Sequence, residues 1–361
     1  MTPGPPGDVA GVARRVLVVS SVHPPDDPRI RAKLVETLAP VAAVRYATTA
    51  PGPVAAGGIE IVALEGRRLR RSLTASWLIL RGGYDVASVH DPELLPAAVL
   101  AGLLRRHVVF DLHENLPATM GQKRRIPKPL RGVATWVVTG LLRLADRLLP
   151  ITLAEESYRS LFAREHPVFP NFLAIGDVPI TDPAERSGVV YLGDVTEERG
   201  LLDAVAAVGR SRARRLTLIG RAGAPVRDWI SAMAWQHGVE VTFTGFLPPA
   251  EALPLMGRHA VALSLLHDLP NYRESLPTKL LEYLAMGVPV VASDLPASRR
   301  VLGDVAGVVW VPPGDREAIA TAIDRVIADP EIAAAAVSQA PGIRDRYRWP
   351  AEDVRRFYAE V

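Results

Sequence analysis

The chain has 361 residues, 48% hydrophobic and 22% charged, no cysteine and a net charge of +3. That length allows about two domains with cores of their own, and that composition excludes a disordered protein. The missing cysteines exclude a disulfide scaffold, thiolate metal ligands and thiol catalysis.

Residues 1–14, rich in Pro and Gly with no apolar run after a charged start, read as a disordered leader rather than a signal peptide. Short apolar, β-branched runs then alternate with helical patterns. Over 15–173 strands are predicted at 16–21, 41–47, 59–64, 85–90, 108–112 and 148–152, with helical spacing at 30–38, 73–81, 93–105, 130–147 and 155–164. Residues 174–187, rich in Pro, Asp and Ile without a clear period, read as a linker. From 188 to 340 the pattern restarts, with strands at 189–193, 216–220, 239–244, 260–265, 288–293 and 307–311, and helices at 201–210, 226–237, 250–257, 278–286 and 317–328. Residues 341–361 are amphipathic and read as a C-terminal helix. Apolar runs such as 132–142 fall short of the ~20 residues a membrane span needs.

Most predicted strands are apolar throughout, as strands buried on both faces are. Alternating β and α elements give parallel sheets with right-handed crossovers, hence two doubly wound α/β domains facing across a cleft. Ligands are then expected beyond the carboxyl ends of the strands. The first strand is followed by Ser21-Val22-His23-Pro24-Pro25 instead of a GxGxxG turn, so a dinucleotide cofactor is not expected. Walker A, GxSxG and HExxH sequences are also missing.

The strongest signal is Arg273-Glu274-Ser275-Leu276-Pro277-Thr278-Lys279-Leu280-Leu281-Glu282, with two glutamates eight apart. Pro277 suits a first helical turn. The helix start at Leu276–Lys279 offers backbone N–H groups and a positive dipole end to phosphate oxygens, and Lys279 adds a cation. A carboxylate before this helix and one inside it suit hydroxyls on either side of a diphosphate, the layout of sugar–diphosphate–ribose. The string, with Tyr283-Leu284-Ala285-Met286-Gly287-Val288-Pro289 after it, resembles the E-x7-E motif of family 4 glycosyltransferases, retaining enzymes of GT-B fold. The resemblance implies that Glu274 holds the donor sugar and Glu282 the ribose, with Ser275, Leu276, Pro277, Thr278 and Lys279 around the diphosphate.

Further segments carry the same resemblance. Tyr191-Leu192-Gly193-Asp194 with Glu198-Arg199-Gly200 looks like the family's first C-terminal strand and basic turn, implying donor-binding roles for Gly193 and Arg199. Asp194 departs from the Arg that some members carry there. Gly220 ends the next strand, and Gly245-Phe246-Leu247 resembles the loop under the nucleotide base, which the sequence does not name. In the front half, His90-Asp91-Pro92-Glu93 and Asp111-Leu112-His113-Glu114-Asn115 resemble the family's segments at successive strand ends. His113 is then expected to position the transferred sugar, with His90, Asp91, Glu114, Asn115 and Arg29 on the acceptor side. The ligand types of His90, Asp91, His113 and Glu114 would suit zinc, but the resemblance implies an enzyme needing neither metal nor cofactor.

Charge is divided unevenly: residues 1–173 hold 22 Lys and Arg against 15 Asp and Glu, the remainder 20 against 24. A basic front half, with Lys123, Arg124, Arg125, Lys128 and Arg131 in the loop at 117–131, points to an anionic or lipid-linked acceptor. It also suits a cytoplasmic enzyme in peripheral contact with the inner membrane face. Nucleic acid is not expected as a partner. Two alternatives stand beside transfer: a nucleotide-sugar 2-epimerase on the same fold, and a catalytically degenerate binding module.

Overall fold

The computed structural model describes residues 14–50, 59–122, 127–303 and 305–361, so the expected leader lies outside the described residues except for Arg14, which opens the first strand. Two compact units emerge. One comprises the chain up to Asn171 together with Pro350–Val361, the other Phe172–Trp349.

The first unit holds a six-stranded sheet of β1 (Arg14–Val19), β2 (Ala42–Thr48), β3 (Ile59–Ala63), β4 (Val86–Val89), β5 (Val108–Leu112) and β6 (Ile151–Leu153). Its order is β3-β2-β1-β4-β5-β6, with every pair parallel. β4 and β5 are buried at every residue, which is why Val-Ala-Ser-Val and Val-Val-Phe-Asp-Leu read as near-continuous apolar runs. The order reverses between β1 and β4, so the carboxyl ends of these strands mark a switch point where ligands bind in open α/β sheets. The C-terminal helix Ala351–Glu360 packs against the turns at 30–38 of this unit.

The second unit repeats the design with β7 (Val189–Leu192), β8 (Arg215–Ile219), β9 (Glu240–Gly245), β10 (Val261–Ser264), β11 (Val290–Ser293) and β12 (Val308–Val311), ordered β12-β11-β10-β7-β8-β9. Its core lies on both faces of the sheet: Val189 and Tyr191 of β7 join one apolar cluster, and Val190 between them joins the other. The switch falls between β7 and β10.

Two elements differ from expectation. The helix expected over 155–164 is a short tight turn, Glu156–Leu161. The stretch 341–361 is the end of one helix, Pro330–Arg346, and a second, Ala351–Glu360. Pro350 separates them, since proline cannot donate to a helix interior and restricts the residue before it. Trp349 N–H donates to Leu173 O at 2.7 Å, and Leu173 N–H donates to Tyr347 O at 2.7 Å. Among the described residues, no helix is long and apolar enough to cross a membrane.

Candidate active site

In the second unit three glycines end three neighbouring strands. Gly193 N–H donates to Ile219 O at 2.8 Å, and Gly220 N–H donates to Gly245 O at 2.9 Å. A Cβ on Gly220 would lie 1.9 Å from Gly193 O, so only glycine permits this approach. A Cβ on Gly193 (φ +123°) would stand 3.3 Å from both Arg199 Nη1 and Lys279 Nζ. The bare face of Gly193 is thus flanked by two cations. Arg199 sits in the turn Glu197–Arg199, which closes on the end of β10: a Cβ on Gly200 would meet Leu265 O at 1.9 Å. His267 N–H donates to Glu198 O at 3.3 Å, while the His267 ring meets Asp203, itself bound by Arg316.

Lys279 lies in the first turn of the helix Thr278–Ala285, whose start carries no capping side chain. Its ammonium is buried without a hydrogen-bond partner, 3.7 Å from the Tyr191 ring centroid. Burial, and next the Arg199 charge, push its pKa well below the usual ammonium range, against the pull of Glu282 and Asp194. Tyr283, one helical turn further, holds the helix in place. Its hydroxyl accepts from Leu192 N at 2.7 Å and donates to Leu263 O at 3.1 Å, so the helix is tied to the ends of β7 and β10. Glu282 is half-buried; Glu274, at the end of the turn Pro270–Arg273, is exposed, as is Asp194. Phe246, after β9, carries the Arg221 guanidinium over its ring at 4.2 Å, with Leu247 half-buried beside it in sequence. A helix start, two cations and three bare glycines together are chemically suited to an anion.

In the first unit, three histidines gather beyond β1, β4 and β5. The His113 ring meets His23 edge-on at 5.0 Å between centroids, and His90 at 6.3 Å. His113 Nδ1 lies 3.3 Å from Asp111 O, a contact that assigns the proton to Nδ1 and a lone pair to Nε2. Burial lowers the His113 pKa to about 4; His90, Arg29 and His23 add to this and Asp111 opposes it. The imidazole is therefore neutral at physiological pH.

Residues 186–329 match the family model described as glycosyl transferases group 1. The chain is 26% identical over 302 residues to phosphatidyl-myo-inositol mannosyltransferase of Mycolicibacterium smegmatis, covering 78% of this chain and 73% of that protein. It is 33% identical over 175 residues to glycogen synthase of Mycobacterium tuberculosis, covering 46% of this chain but 39% of that protein. Over residues 186–329 the chain is thus similar to the group 1 glycosyl transferases. Its fold matches the crystal structure of Anabaena Alr3699/HepE in complex with UDP and glucose, with TM-score 0.72 at 16% identity over 96% of this chain and 98% of that one. The expected GT-B class is thereby met.

Several residues stand differently from their expected roles. Arg29, expected on the acceptor side, is buried and forks onto Asp111, Nε to Oδ2 at 2.9 Å and Nη2 to Oδ1 at 2.8 Å. His90 is buried with both ring nitrogens engaged, Nδ1 at 3.2 Å from Asp111 and Nε2 at 3.1 Å from Ser88. Asp91 is buried and accepts from Ser20 and Ser21. These three build the sheet end and present no free group to a partner. Asn115 caps the following helix, its Oδ1 accepting from Ala118 N at 3.1 Å, and Glu114 beside it is half-buried. Of the basic loop, Lys123, Arg124 and Arg125 lie outside the described residues. The sequence reading missed His23 and Tyr283.

His90, Asp111 and His113 place possible ligand atoms within 4.8 Å of one another. The donor set does not fit a metal. Asp111 Oδ1 already accepts from Arg29 and Thr152, Oδ2 from Arg29, and a dication would face the Arg29 guanidinium. Asp91 and Glu114, whose side-chain types would also suit zinc, are not in this group.

Proposed function

We propose that the protein moves a sugar from a nucleotide-diphosphate sugar to an acceptor hydroxyl, with retention at the anomeric carbon. The observation that carries the reading is the buried Lys279 ammonium, without a hydrogen-bond partner, facing Gly193 beside Arg199, a site that needs an anion to be electrostatically complete.

Departure of the nucleoside diphosphate builds negative charge on its β-phosphate. Arg199, Lys279 and the first-turn amides of the 278–285 helix are fixed before the reaction and meet that charge more strongly in the transition state than in the ground state. Glu274 takes the donor sugar's hydroxyls and Glu282 those of the ribose. The Gly245-Phe246-Leu247 turn lies under the base, and His113, neutral, orients the transferred sugar through Nε2 instead of acting as a strong acid. These cations do at the leaving group what a metal ion does elsewhere, so no metal or cofactor is required and a chelator leaves turnover unchanged. The acceptor is anionic or lipid-linked, approached through the basic first unit.

A thermal-shift screen against UDP, GDP, TDP and their sugars tests the reading. One nucleotide is expected to raise the melting temperature, by the linkage of binding to folding. Its sugar form, mixed with candidate acceptors, is expected to yield free nucleoside diphosphate and a heavier acceptor whose new glycosidic bond keeps the donor sugar's anomeric configuration. A sugar nucleotide of unchanged mass and altered NMR spectrum would assign the protein to epimerisation instead, and no shift with any nucleotide would overturn the reading.

A further inference from the structure

The first unit carries an apolar surface that the transfer reaction does not use. Three helices, Arg68–Arg81, Leu95–Leu103 and Lys128–Leu148, pack side by side. They belong to the crossovers β3 to β4, β4 to β5 and β5 to β6, which run the same way along the sheet, so right-handedness puts all three on one face. Large apolar side chains stand out from each: Leu69 (74% exposed), Leu73 and Trp77 on the first, Leu103 on the second, Val133 and Trp136 (76% exposed) on the third. Exposed apolar side chains on three neighbouring helices of one face mark an interaction surface.

The charge around it selects the occupant. Residues 66–82, 95–107 and 128–148 contain eleven Lys and Arg and one acid, Asp146, whose carboxylate is buried against His166. Arg67, Arg70, Arg81, Arg105, Arg143 and Arg147 are exposed. A second copy docking by two-fold symmetry would press basic face on basic face. An anionic lipid surface matches both properties: apolar side chains enter the headgroup boundary, arginines meet lipid phosphates, and indoles sit at the interface.

We propose that this three-helix face docks the protein onto an anionic lipid leaflet, lying on it without spanning it. The proposal deepens the reading of a lipid-linked acceptor and rests on that reading only for its use in transfer; docking itself needs no donor and is measured without one.

The test is flotation of the full chain with vesicles of phosphatidylcholine alone and of phosphatidylcholine with phosphatidylglycerol. Two double variants accompany the wild type: Val133→Ser with Trp136→Ser, and Arg143→Glu with Arg147→Glu. All four positions are exposed, so the melting temperature and the nucleotide-induced thermal shift should stay as in the wild type and report an intact fold. The wild type is expected to float with the anionic vesicles only, less so at high salt, and each double variant to lose binding by about tenfold or more. Failure of the wild type to float, or variants that float equally well, would overturn the proposal. So would a lipid-free dimer dissolved by Val133→Ser with Trp136→Ser, which would assign the face to a second copy.

Discussion

Lys279 is a residue whose burial costs stability and which the proposed reading assigns to the donor diphosphate. An ammonium buried without a hydrogen-bond partner costs folding free energy, and Met of similar length would remove that cost. Lys279→Met is therefore expected to raise the melting temperature while lowering turnover by roughly 10²–10³, the usual loss when one preorganised charge at a leaving group is removed. Calorimetric melts and steady-state rates on the same preparation check both halves; a variant that is less stable would reassign Lys279 to the core. Charge at the residue scale was also the least legible feature of the sequence. Arg29 reads as an anion binder until its partner is seen 82 residues away in Asp111. His23 stands in a Ser-Val-His-Pro-Pro turn that announces nothing, because its neighbour His113 arrives on another strand.

At the scale of elements, the glycine-ended strands make separable claims. Gly200→Ala drives a Cβ into the Leu265 carbonyl and should cost stability, by about 2–4 kcal/mol. Gly193→Ala instead places its Cβ 3.3 Å from two side-chain tips, so thermal melts should show a smaller loss and nucleotide titrations a clear drop in affinity. Tyr283→Phe leaves Leu192 N–H and Leu263 C=O without their side-chain partner, at about 1–3 kcal/mol, and loosens the helix that carries Lys279. Chemical denaturation and the Michaelis constant for the donor report the two effects. The glycines and the helix start were legible because close backbone approach needs a residue type that sequence displays. Tyr283 was not, since a tyrosine four residues after Lys279 reads as ordinary packing until its hydroxyl is seen between two strand ends.

At the scale of the molecule, the doubly wound design was legible because strands buried on both faces leave continuous apolar runs, and β4, β5 and β7 are such runs. The end of the chain was less so: one amphipathic stretch became two helices, one in each unit, because Pro350 interrupts it. Each unit has its own core, so damage should be local. Burial opposes ionisation of Asp111, but Arg29 and His90 hold its pKa well below the usual carboxylate range. A depressed carboxylate pKa contributes stability above the unfolded value, lost as pH falls through the folded one. Arg29→Ala should strand the buried charge and cost about 3–5 kcal/mol near neutral pH, with the difference from wild type shrinking in acid. Circular-dichroism melts across pH check this.

Binding of a diphosphate beside Lys279 should restore the ammonium that burial suppresses. The sign follows: affinity is highest where Lys279 is already protonated and declines as pH rises past its depressed pKa. Calorimetric titration with UDP, GDP and TDP, in alkaline buffers of different ionisation enthalpy, reads the proton directly. The wild type should take up protons on binding one of these nucleotides, and Lys279→Met should bind it far more weakly with no uptake. Equal affinity in the two proteins, with no proton taken up by either, would contradict the placement of the diphosphate at Gly193, Arg199 and Lys279.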